Sequence, residues 1–381
     1  MPLRIVYLLP APGIPVRGVG GASSHVRGLT EGFVDLGCAV HLVAVRALGR
    51  EGAPEGPRGV TWEAVGAPSR PSWLPRHLSE VRAARRVARR AVAEARVRGA
   101  DLLLERHALF SDAGLCAAGR LSLPWVLEVN APQVIERCRF EDPPAPGPAR
   151  AWERRVLKAA PRVAAVSRWL AEWLVNEVGC ERTRVRHVPN GVSAIAGDRS
   201  RGRLRAALPE DVFVIGFLGA IRPWHGVEAL AALLDRLPEA RLLMVGADRE
   251  GHVPVPDRHV HRVVATGRVD PFEVPDLVAA MDVGLAPYPA DAPPWFCPLK
   301  VLEYRAQGTP VVGSDVGDVR FLTGDGGTVV APGDLDGLAM AVQAWRGRRT
   351  VPWVRSWGQV AGEILDLAGL TGSVGNARGP G

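Results

Sequence analysis

Short, continuous runs of apolar residues, each followed by a helical pattern, recur along the chain. The first two are "RIVYLL" (residues 4–9) and "AVHLVAV" (39–45), with a helical pattern from Ser24 to about Leu36 between them. A run that is apolar at every position predicts a strand buried on both faces. The strand–helix–strand order predicts a parallel sheet with right-handed crossovers. Because the alternation continues with "DLLLE" (101–105), we predict a doubly wound α/β protein.

The alternation is interrupted once, near the middle of the chain. Residues 194–211 are polar, and the pattern restarts with "DVFVIGFLGA" (211–220). A length of 381 residues also favours two domains over one. We predict two Rossmann-like domains that face each other across a cleft, followed by a helix that returns to the first domain. The predicted bounds are 1–192 and 193–350 for the domains, 351–370 for the returning helix and 371–381 for a disordered tail.

The composition argues against several classes of protein. No apolar run reaches the roughly 18 residues of a membrane-spanning helix, and the N-terminus lacks the features of a signal peptide, so we expect a cytoplasmic protein. Five cysteines are scattered without the spacing of a zinc site. The sequence shows no motif of basic and aromatic residues that would predict binding to nucleic acid. Lysine is rare, because Lys158 and Lys300 are the two lysines among 47 basic residues.

Two glycine-containing segments are suited to phosphate. In "GVGGASSH", Gly20 and Gly21 permit close approach of the backbone, and the start of the following helix offers N–H groups; the alternative is a tight turn. In "FLGAIRPWHGVEAL", Arg222 and His225 follow the first strand of the second domain, where an arginine can bind a diphosphate. Alternatively, Arg222 is a surface residue packed on Trp224.

A third segment, "PPWFCPLKVLEYRAQGTPVVGSD" (293–315), places two charges in apolar surroundings. Lys300 and Glu303 lie one turn apart at the start of a helix predicted from Pro298 or Leu299. A lysine that precedes a glutamate in this way stabilises a helix poorly, which favours a role in binding. The ammonium can bind phosphate oxygens and the carboxylate can accept hydrogen bonds from ribose hydroxyls. The alternative is a solvated ion pair.

Four segments occur in the order seen in one protein family. With "GGASSHVRGL", "VPNGV" (188–192), "ATGRV" (265–269) and "PLKVLEYRAQGTPVV" (298–312), the chain resembles the family 4 glycosyltransferases over about residues 3–370. It is most similar to a subgroup with "WHG" and "SPLK..EY" motifs. The resemblance implies the GT-B fold and a hexosyltransferase-like enzyme. Such an enzyme moves a sugar from a UDP-, GDP- or dTDP-linked donor to an acceptor hydroxyl, with retention of configuration and without a metal or other cofactor.

The resemblance also implies roles for individual residues. Glu303 would bind the ribose hydroxyls, and Lys300 with Arg222 would bind the diphosphate. The backbone around Arg268 and Val269 would lie beside the base, and Gly21 would contact phosphate from the first domain. The other implied donor-binding residues are Gly20, His225 and Leu302. The implied catalytic residues are Arg222, Lys300 and Asn130.

The chain departs from the family pattern at several positions. Trp295 stands where many relatives have the first glutamate of a Glu-x7-Glu motif, so the usual contact to the donor sugar is altered. Ala220 and His225 replace an arginine and a lysine, and Arg222 is our hypothetical substitute. Cys297 replaces a serine, and Asn130 stands where relatives have a histidine near the reacting carbon.

The acceptor is expected to contact the first domain. The candidate residues are His25, Arg106, His107 and Asn130; alternatively, His25 packs at the start of its helix and His107 is a core residue. A cell-envelope glycan, a glycolipid or a secondary metabolite would fit as acceptor. Two other functions remain open, namely a sugar-nucleotide 2-epimerase and a non-catalytic protein that binds nucleotide sugars.

A strongly basic helix is predicted over residues 76–98. Val81, Ala84, Ala88, Val92 and Ala95 fall on one face, and the arginines at 82, 85, 86 and 89 fall on another. The apolar face lacks Trp and Phe and is suited to packing on the sheet. This favours the interpretation that the basic face is exposed to solvent. The alternative is weak contact with anionic lipids at the inner face of the membrane.

Overall fold

The computed structural model describes residues 1–18, 20–48, 55–67, 75–141, 146–246 and 255–371. The chain divides into two compact units. Unit 1 comprises Met1–Gly191 and Trp357–Gly381, and unit 2 comprises Val192–Ser356. The predicted disordered tail lies outside the described residues except for Thr371. Among the described residues, no helix is long and apolar enough to cross a membrane.

Unit 1 contains a parallel sheet of seven strands in the order β3-β2-β1-β4-β5-β6-β7. Its strands are β1 (Arg4–Leu9), β2 (Ala39–Ala44), β3 (Thr61–Ala64), β4 (Leu102–Arg106), β5 (Trp125–Val129), β6 (Arg162–Ala165) and β7 (Val185–His187). Its helices begin with α1 (Gly21–Asp35), α2 (Arg76–Arg98), α3 (Ala113–Leu121), α4 (Gln133–Phe140), α5 (Pro146–Ala159) and α6 (Arg168–Trp173), which continues as a π-helical turn, Leu174–Val178. The strand order reverses direction at β1 and β4, where Rossmann-like sheets place their ligands.

Unit 2 contains a parallel sheet of six strands in the order β10-β9-β8-β11-β12-β13. Its strands are β8 (Phe213–Leu218), β9 (Ala240–Val245), β10 (Val263–Ala265), β11 (Val283–Ala286), β12 (Val311–Ser314) and β13 (Gly327–Val330). Its helices are α7 (Arg199–Arg205), α8 (Glu228–Arg236), α9 (Asp257–Val260), α10 (Val274–Ala279), α11 (Leu299–Ala306), α12 (Val319–Thr323) and α13 (Leu335–Ala344). Here the order reverses at β8 and β11.

The last helix, α14 (Trp357–Leu367), packs on α1 within unit 1. Two glycines of α1 make this contact close, because a Cβ on Gly28 would lie 2.2 Å from the Trp357 indole and one on Gly32 would lie 2.4 Å from the Trp357 carbonyl oxygen. The inner face of α14, with Ile364 and Leu365, joins the core below the sheet.

Three differences from the sequence prediction concern polar segments. Strand β3 was not predicted, because it is a short edge strand with no buried residue. The segment 194–211 was predicted as a polar crossing, but it contains α7, whose start is capped by the Asp198 side chain. Helix α1 begins at Gly21 instead of Ser24.

Candidate active site

Helix α11 is anchored at the point where the sheet of unit 2 reverses its strand order. The Tyr304 hydroxyl accepts a hydrogen bond from Leu218 N at 2.8 Å and donates one to Leu285 O at 3.2 Å, so it joins the ends of β8 and β11. Gly284 provides the space, since a Cβ there would lie 2.4 Å from the Tyr304 ring. The first turn of α11 is thereby fixed beside the carboxyl ends of these two strands.

Lys300, in this first turn, is buried without a polar partner. Its side chain has 7% relative exposure, and Nζ has no hydrogen-bond partner. Nζ lies 3.9 Å from the centroid of the Phe217 ring and 5.4 Å from that of Tyr288. Burial lowers the pKa of Lys300 to about 7. An ammonium in such surroundings is stable when an anion is bound to it.

Glu303, in the same turn, is half-buried. Burial raises the pKa of its carboxyl to about 7. Across the described part of the chain, its carboxylate forms no hydrogen bond or ion pair, including none with Lys300. The alternative of a solvated ion pair therefore does not describe these two residues.

A tight loop after β8 carries Arg222 and His225. His225 Nδ1 donates to Ala220 O at 2.7 Å. Burial, together with the nearby charge of Lys300, lowers the pKa of His225 to about 3, so the ring is neutral and cannot replace a lysine as a cation. The loop is held in place at Gly226, where φ is +63° and a Cβ would lie 1.8 Å from the oxygen of Pro287. Arg222 is exposed, and its guanidinium has no hydrogen-bond or ion-pair partner among the described residues.

Gly219, Gly246 and Gly267 follow the carboxyl ends of β8, β9 and β10, and together they are called the glycine edge. Gly219 N donates to Val245 O at 2.8 Å, and Gly246 N donates to Gly267 O at 3.0 Å. All three glycines have positive φ, and none has a side chain that would cover the strand ends. This edge can therefore admit a ligand close to the backbone.

The other predicted donor residues differ in their accessibility. Arg268 is exposed and Val269 is half-buried, directly after Gly267. The Leu302 side chain is fully buried in the core, so a contact from this residue could come from its backbone alone. Trp295 is 4% exposed, which places a buried indole where relatives have a carboxylate. Sequence reasoning did not identify Phe217, which lies in β8, or Tyr288, which follows β11, because neither residue stands out in an apolar segment.

At the start of α1 in unit 1, the backbone is accessible. Gly20 and Gly21 are both exposed, and no side chain caps the helix. A Cβ on Gly20 would meet no atom within 4 Å. The first N–H groups of a helix carry the positive end of its dipole, so this terminus can bind an anion.

Three of the four predicted acceptor residues meet at a carboxylate that the prediction had overlooked. Glu128 of β5, which is 2% exposed, contacts His25 through Nε2, Arg106 through Nη1 at 3.2 Å and Asn130 through Nδ2 at 2.6 Å. The Tyr7 hydroxyl donates to its other oxygen at 2.7 Å. Burial alone would raise the pKa of Glu128, but the charges of His25 and Arg106 outweigh it and the pKa is lowered.

This cluster determines which atoms remain available to a substrate. His25 contacts Glu128 through one ring nitrogen and Asn190 Oδ1 through the other at 2.7 Å, so both nitrogens face oxygen atoms of the protein. Asn130 donates to Glu128, which fixes the orientation of its amide, and Oδ1 has no hydrogen-bond partner. His107 is separate from the cluster; it is buried and faces Glu153 at 3.4 Å, as in the alternative of a core histidine.

A second group of ionisable side chains lies near the edge strand β3 of the unit 1 sheet. His41, Glu63 and Glu94 offer potential metal ligand atoms within 4.8 Å of one another. Both carboxylates pair with arginines, since Arg90 contacts Glu63 and Glu94, and Arg98 contacts Glu94. These pairings are typical of a structural ion-pair network.

Comparisons with known proteins agree with this architecture. The chain aligns with the D-inositol 3-phosphate glycosyltransferase of Acidothermus cellulolyticus at 28% identity over 248 residues, 59% of this chain and 54% of that protein. It aligns with the putative teichuronic acid biosynthesis glycosyltransferase TuaH of Bacillus subtilis at 30% identity over 176 residues, 43% of each chain. The first of these alignments spans about half the length of the curated relative.

Two solved structures resemble the whole chain. They are sucrose-phosphate synthase from Thermosynechococcus elongatus, with a TM-score of 0.67 and 19% identity, and Anabaena Alr3699/HepE in complex with UDP and glucose, with a TM-score of 0.65 and 17% identity. Each alignment covers 98% of both chains. At these identities the likeness shows the fold, and it confirms the predicted class of two Rossmann-like units as in GT-B proteins.

Two family models match consecutive parts of the sequence. Residues 19–194 match Glycosyltransferase Family 4, and residues 183–345 match Glycosyl transferases group 1. The two matches follow the two units described above, and the resemblance stated from the sequence motifs is confirmed. The chain belongs to the family 4 type of glycosyltransferases.

Proposed function

We propose that this protein transfers a sugar from a nucleotide diphosphate sugar to an acceptor hydroxyl, with retention of configuration. The observation that carries the proposal is the buried ammonium of Lys300, which has no hydrogen-bond partner and lies at the reversal point of the unit 2 sheet. A buried cation without a counter-ion is costly, and a diphosphate would supply the missing charge. The bound UDP in the structure of HepE, a protein of the same fold, supports this class of ligand.

In the proposed complex, each group of the donor meets a different part of unit 2. The diphosphate binds Lys300 and Arg222, and the ribose hydroxyls donate to Glu303. The base lies beside the glycine edge near Arg268 and Val269. In unit 1, the exposed start of α1 at Gly20 and Gly21 is our candidate for a phosphate contact.

The proposed reaction requires no carboxylate nucleophile. The bond between the anomeric carbon and the diphosphate oxygen breaks, and the acceptor oxygen forms its bond to that carbon on the same face. The leaving diphosphate oxygen takes the proton of the acceptor hydroxyl. Lys300 and Arg222 stabilise the charge that develops on the diphosphate, which is the electrostatic role that a metal has in other transferases. In unit 1, Asn130 Oδ1 is our candidate for orienting the acceptor hydroxyl.

The test compares two variants of the binding residues with a matched control. We expect Lys300→Met and Glu303→Gln each to lower turnover of the cognate donor at least about tenfold, equivalent to about 1.4 kcal/mol. Lys158→Met removes the other lysine of the chain, which is exposed on α5, and should leave turnover unchanged. Full activity of both binding-site variants would refute the assignment.

The donor and the reaction class are identified by NMR. UDP-, GDP- and dTDP-sugars are incubated with the protein, with and without hydroxylated acceptors. A new glycoside with retained configuration supports the proposal. Conversion of a donor in the absence of acceptor would indicate an epimerase, and tight binding without any conversion across a broad acceptor panel would indicate a non-catalytic binding protein.

We also propose weak contact of α2 with anionic lipids. Its arginines at 82, 85, 86 and 89 are exposed and, among the described residues, form no ion pair. By contrast, Arg76, Arg90 and Arg98 pair with glutamates. Unpaired guanidinium groups along one helix face are attracted to an anionic surface. Co-flotation with anionic vesicles, lost in zwitterionic vesicles and in a variant with all four arginines changed to glutamine, would support it.

A further inference from the structure

Lys300 rests on an aromatic surface instead of an acidic one. Phe217, near the end of β8, is fully buried, and its ring centroid lies 3.9 Å from Nζ. Tyr288 follows β11 and contributes a second ring at 5.4 Å. The ammonium therefore lies over the electron-rich faces of residues from the two strands at the reversal point.

The other groups around this ammonium do not neutralise it. His225 is neutral and its Nδ1 proton is donated to Ala220 O. The charged or titratable groups on the neighbouring elements are Arg222, His225, Tyr288, Cys297, Glu303 and Tyr304. None of them accepts a hydrogen bond from Nζ, and within the described ranges Lys300 forms no ion pair. The aromatic faces are thus the source of negative charge density that is in contact with it.

A cation held over an aromatic face is stabilised, and the effect is largest where water is excluded. We propose that Phe217 is a positioning residue that keeps Lys300 protonated and directed toward the diphosphate of the donor. The inference rests on the proposed function, since it concerns how the same site binds its nucleotide. The diphosphate would give Nζ the hydrogen bonds that the free protein lacks, so binding above neutral pH should be accompanied by proton uptake.

The chain provides a matched control for the aromatic contact. Phe217→Leu removes the ring but keeps an apolar side chain. Phe213→Leu makes the same change on the same strand and in the same core cluster, where the ring faces Arg346 at 5.1 Å and not Lys300. Any general effect of replacing a buried Phe should appear in both variants. An effect through Lys300 should appear in the first alone.

Direct observation of the ammonium is practical, because the chain has two lysines. Protein labelled with ¹³C-lysine should give two side-chain signals, and the exposed Lys158 serves as the internal reference. We expect the ε-methylene protons of Lys300 to lie upfield of those of Lys158, because they are above a ring. We also expect Lys300 to titrate below the ordinary pH range of a lysine, and at still lower pH in Phe217→Leu than in Phe213→Leu.

Nucleotide binding supplies the second readout. UDP, GDP and dTDP are titrated calorimetrically into the wild-type protein at pH 8 in HEPES and in Tris, which have different ionisation enthalpies. We expect one of them to bind with uptake of a proton, and Lys300→Met to abolish this uptake. At pH 7, Phe217→Leu should weaken that nucleotide about tenfold relative to Phe213→Leu, the scale of a desolvated cation–π contact.

Each outcome separates this inference from the proposed function. If wild-type protein binds none of the three nucleotides, the proposed function is refuted and this inference with it. If it binds one of them but the two Leu variants share the same affinity and the same Lys300 titration, the role of Phe217 is refuted and the proposed function stands. Should Phe217→Leu not fold, wild-type spectra without an upfield, low-pH Lys300 signal would refute the inference by themselves.

Discussion

The free protein should become more stable when Lys300 is replaced by methionine. Folding transfers this ammonium into a site where burial lowers its pKa from 10.5 to about 7. At about 1.4 kcal/mol for each pKa unit, the cost to folding at pH 7 is about 4 kcal/mol. Methionine has no charge to bury, and its thioether can keep the contact with Phe217.

The sign and the pH window of this effect follow from proton linkage. Between pH 7 and 10.5 the unfolded chain holds a proton on Lys300 that the folded chain has partly lost, so the wild-type protein is penalised most at the lower pH. The gain from Lys300→Met should therefore fall from about 4 kcal/mol at pH 7 to about 1.5 kcal/mol at pH 9.5.

Urea unfolding of the wild-type protein and the variant, followed at both pH values, measures this difference. The change in the difference is the decisive quantity, because groups away from Lys300 titrate equally in the two proteins and the nearby His225 is neutral at both pH values. Lys158→Met, an exposed site, should change the free energy of unfolding little at either pH. A gain that does not depend on pH, or a loss of stability at pH 7, would refute the reasoning about a buried, unpaired ammonium.

Three further substitutions test other buried groups. Glu128→Ala leaves the buried guanidinium of Arg106 without its carboxylate, so urea unfolding should show a loss of about 3–5 kcal/mol. Burial raises the pKa of Glu105 to about 7, so its proton is bound more tightly in the folded state. Its contribution to stability is complete below about pH 4.5 and is lost as pH rises through 7. The free energy of unfolding of Glu105→Gln relative to the wild-type protein should therefore rise by about 2.5 kcal/mol between pH 5 and pH 8. Gly226→Ala should lower the melting temperature more than Gly347→Ala, because both glycines have positive φ but only the first lies against Pro287.

The fold was predictable wherever a strand is buried on both faces. The side chains of a continuous apolar run such as "RIVYLL" can all be buried if the run is a central strand, and this run forms β1. The edge strand β3 and helix α7 lack this signal. Arginine makes up four of the seven residues of α7, and its position depends on the ion pairs of Arg201 with Asp276, which is far away in sequence. Asp198 at its start was the local signal that could have indicated a helix.

The candidate site was predictable in its residues but not in its environment. The spacing of Lys300 and Glu303 indicated two charges on one turn, whereas the rings that contact the ammonium come from separate strands that only folding brings together. The sequence also contains a signal for Glu128. This carboxylate lies within the buried run "PWVLEVN". It must have polar or charged partners, because an unpaired buried charge is too costly.

The return of the chain to unit 1 has a practical consequence for dissecting this protein. Gly191 lies against Trp357, where a Cβ on the glycine would be 2.9 Å from the tryptophan Cα. The point at which the polypeptide leaves unit 1 and the point at which it comes back are thus immediate neighbours. Unit 2 is topologically an insertion into unit 1. Residues 192–356 could be excised and the two cut ends joined through a short glycine linker, giving a separate unit 1 fragment whose solubility and ligand binding could be measured.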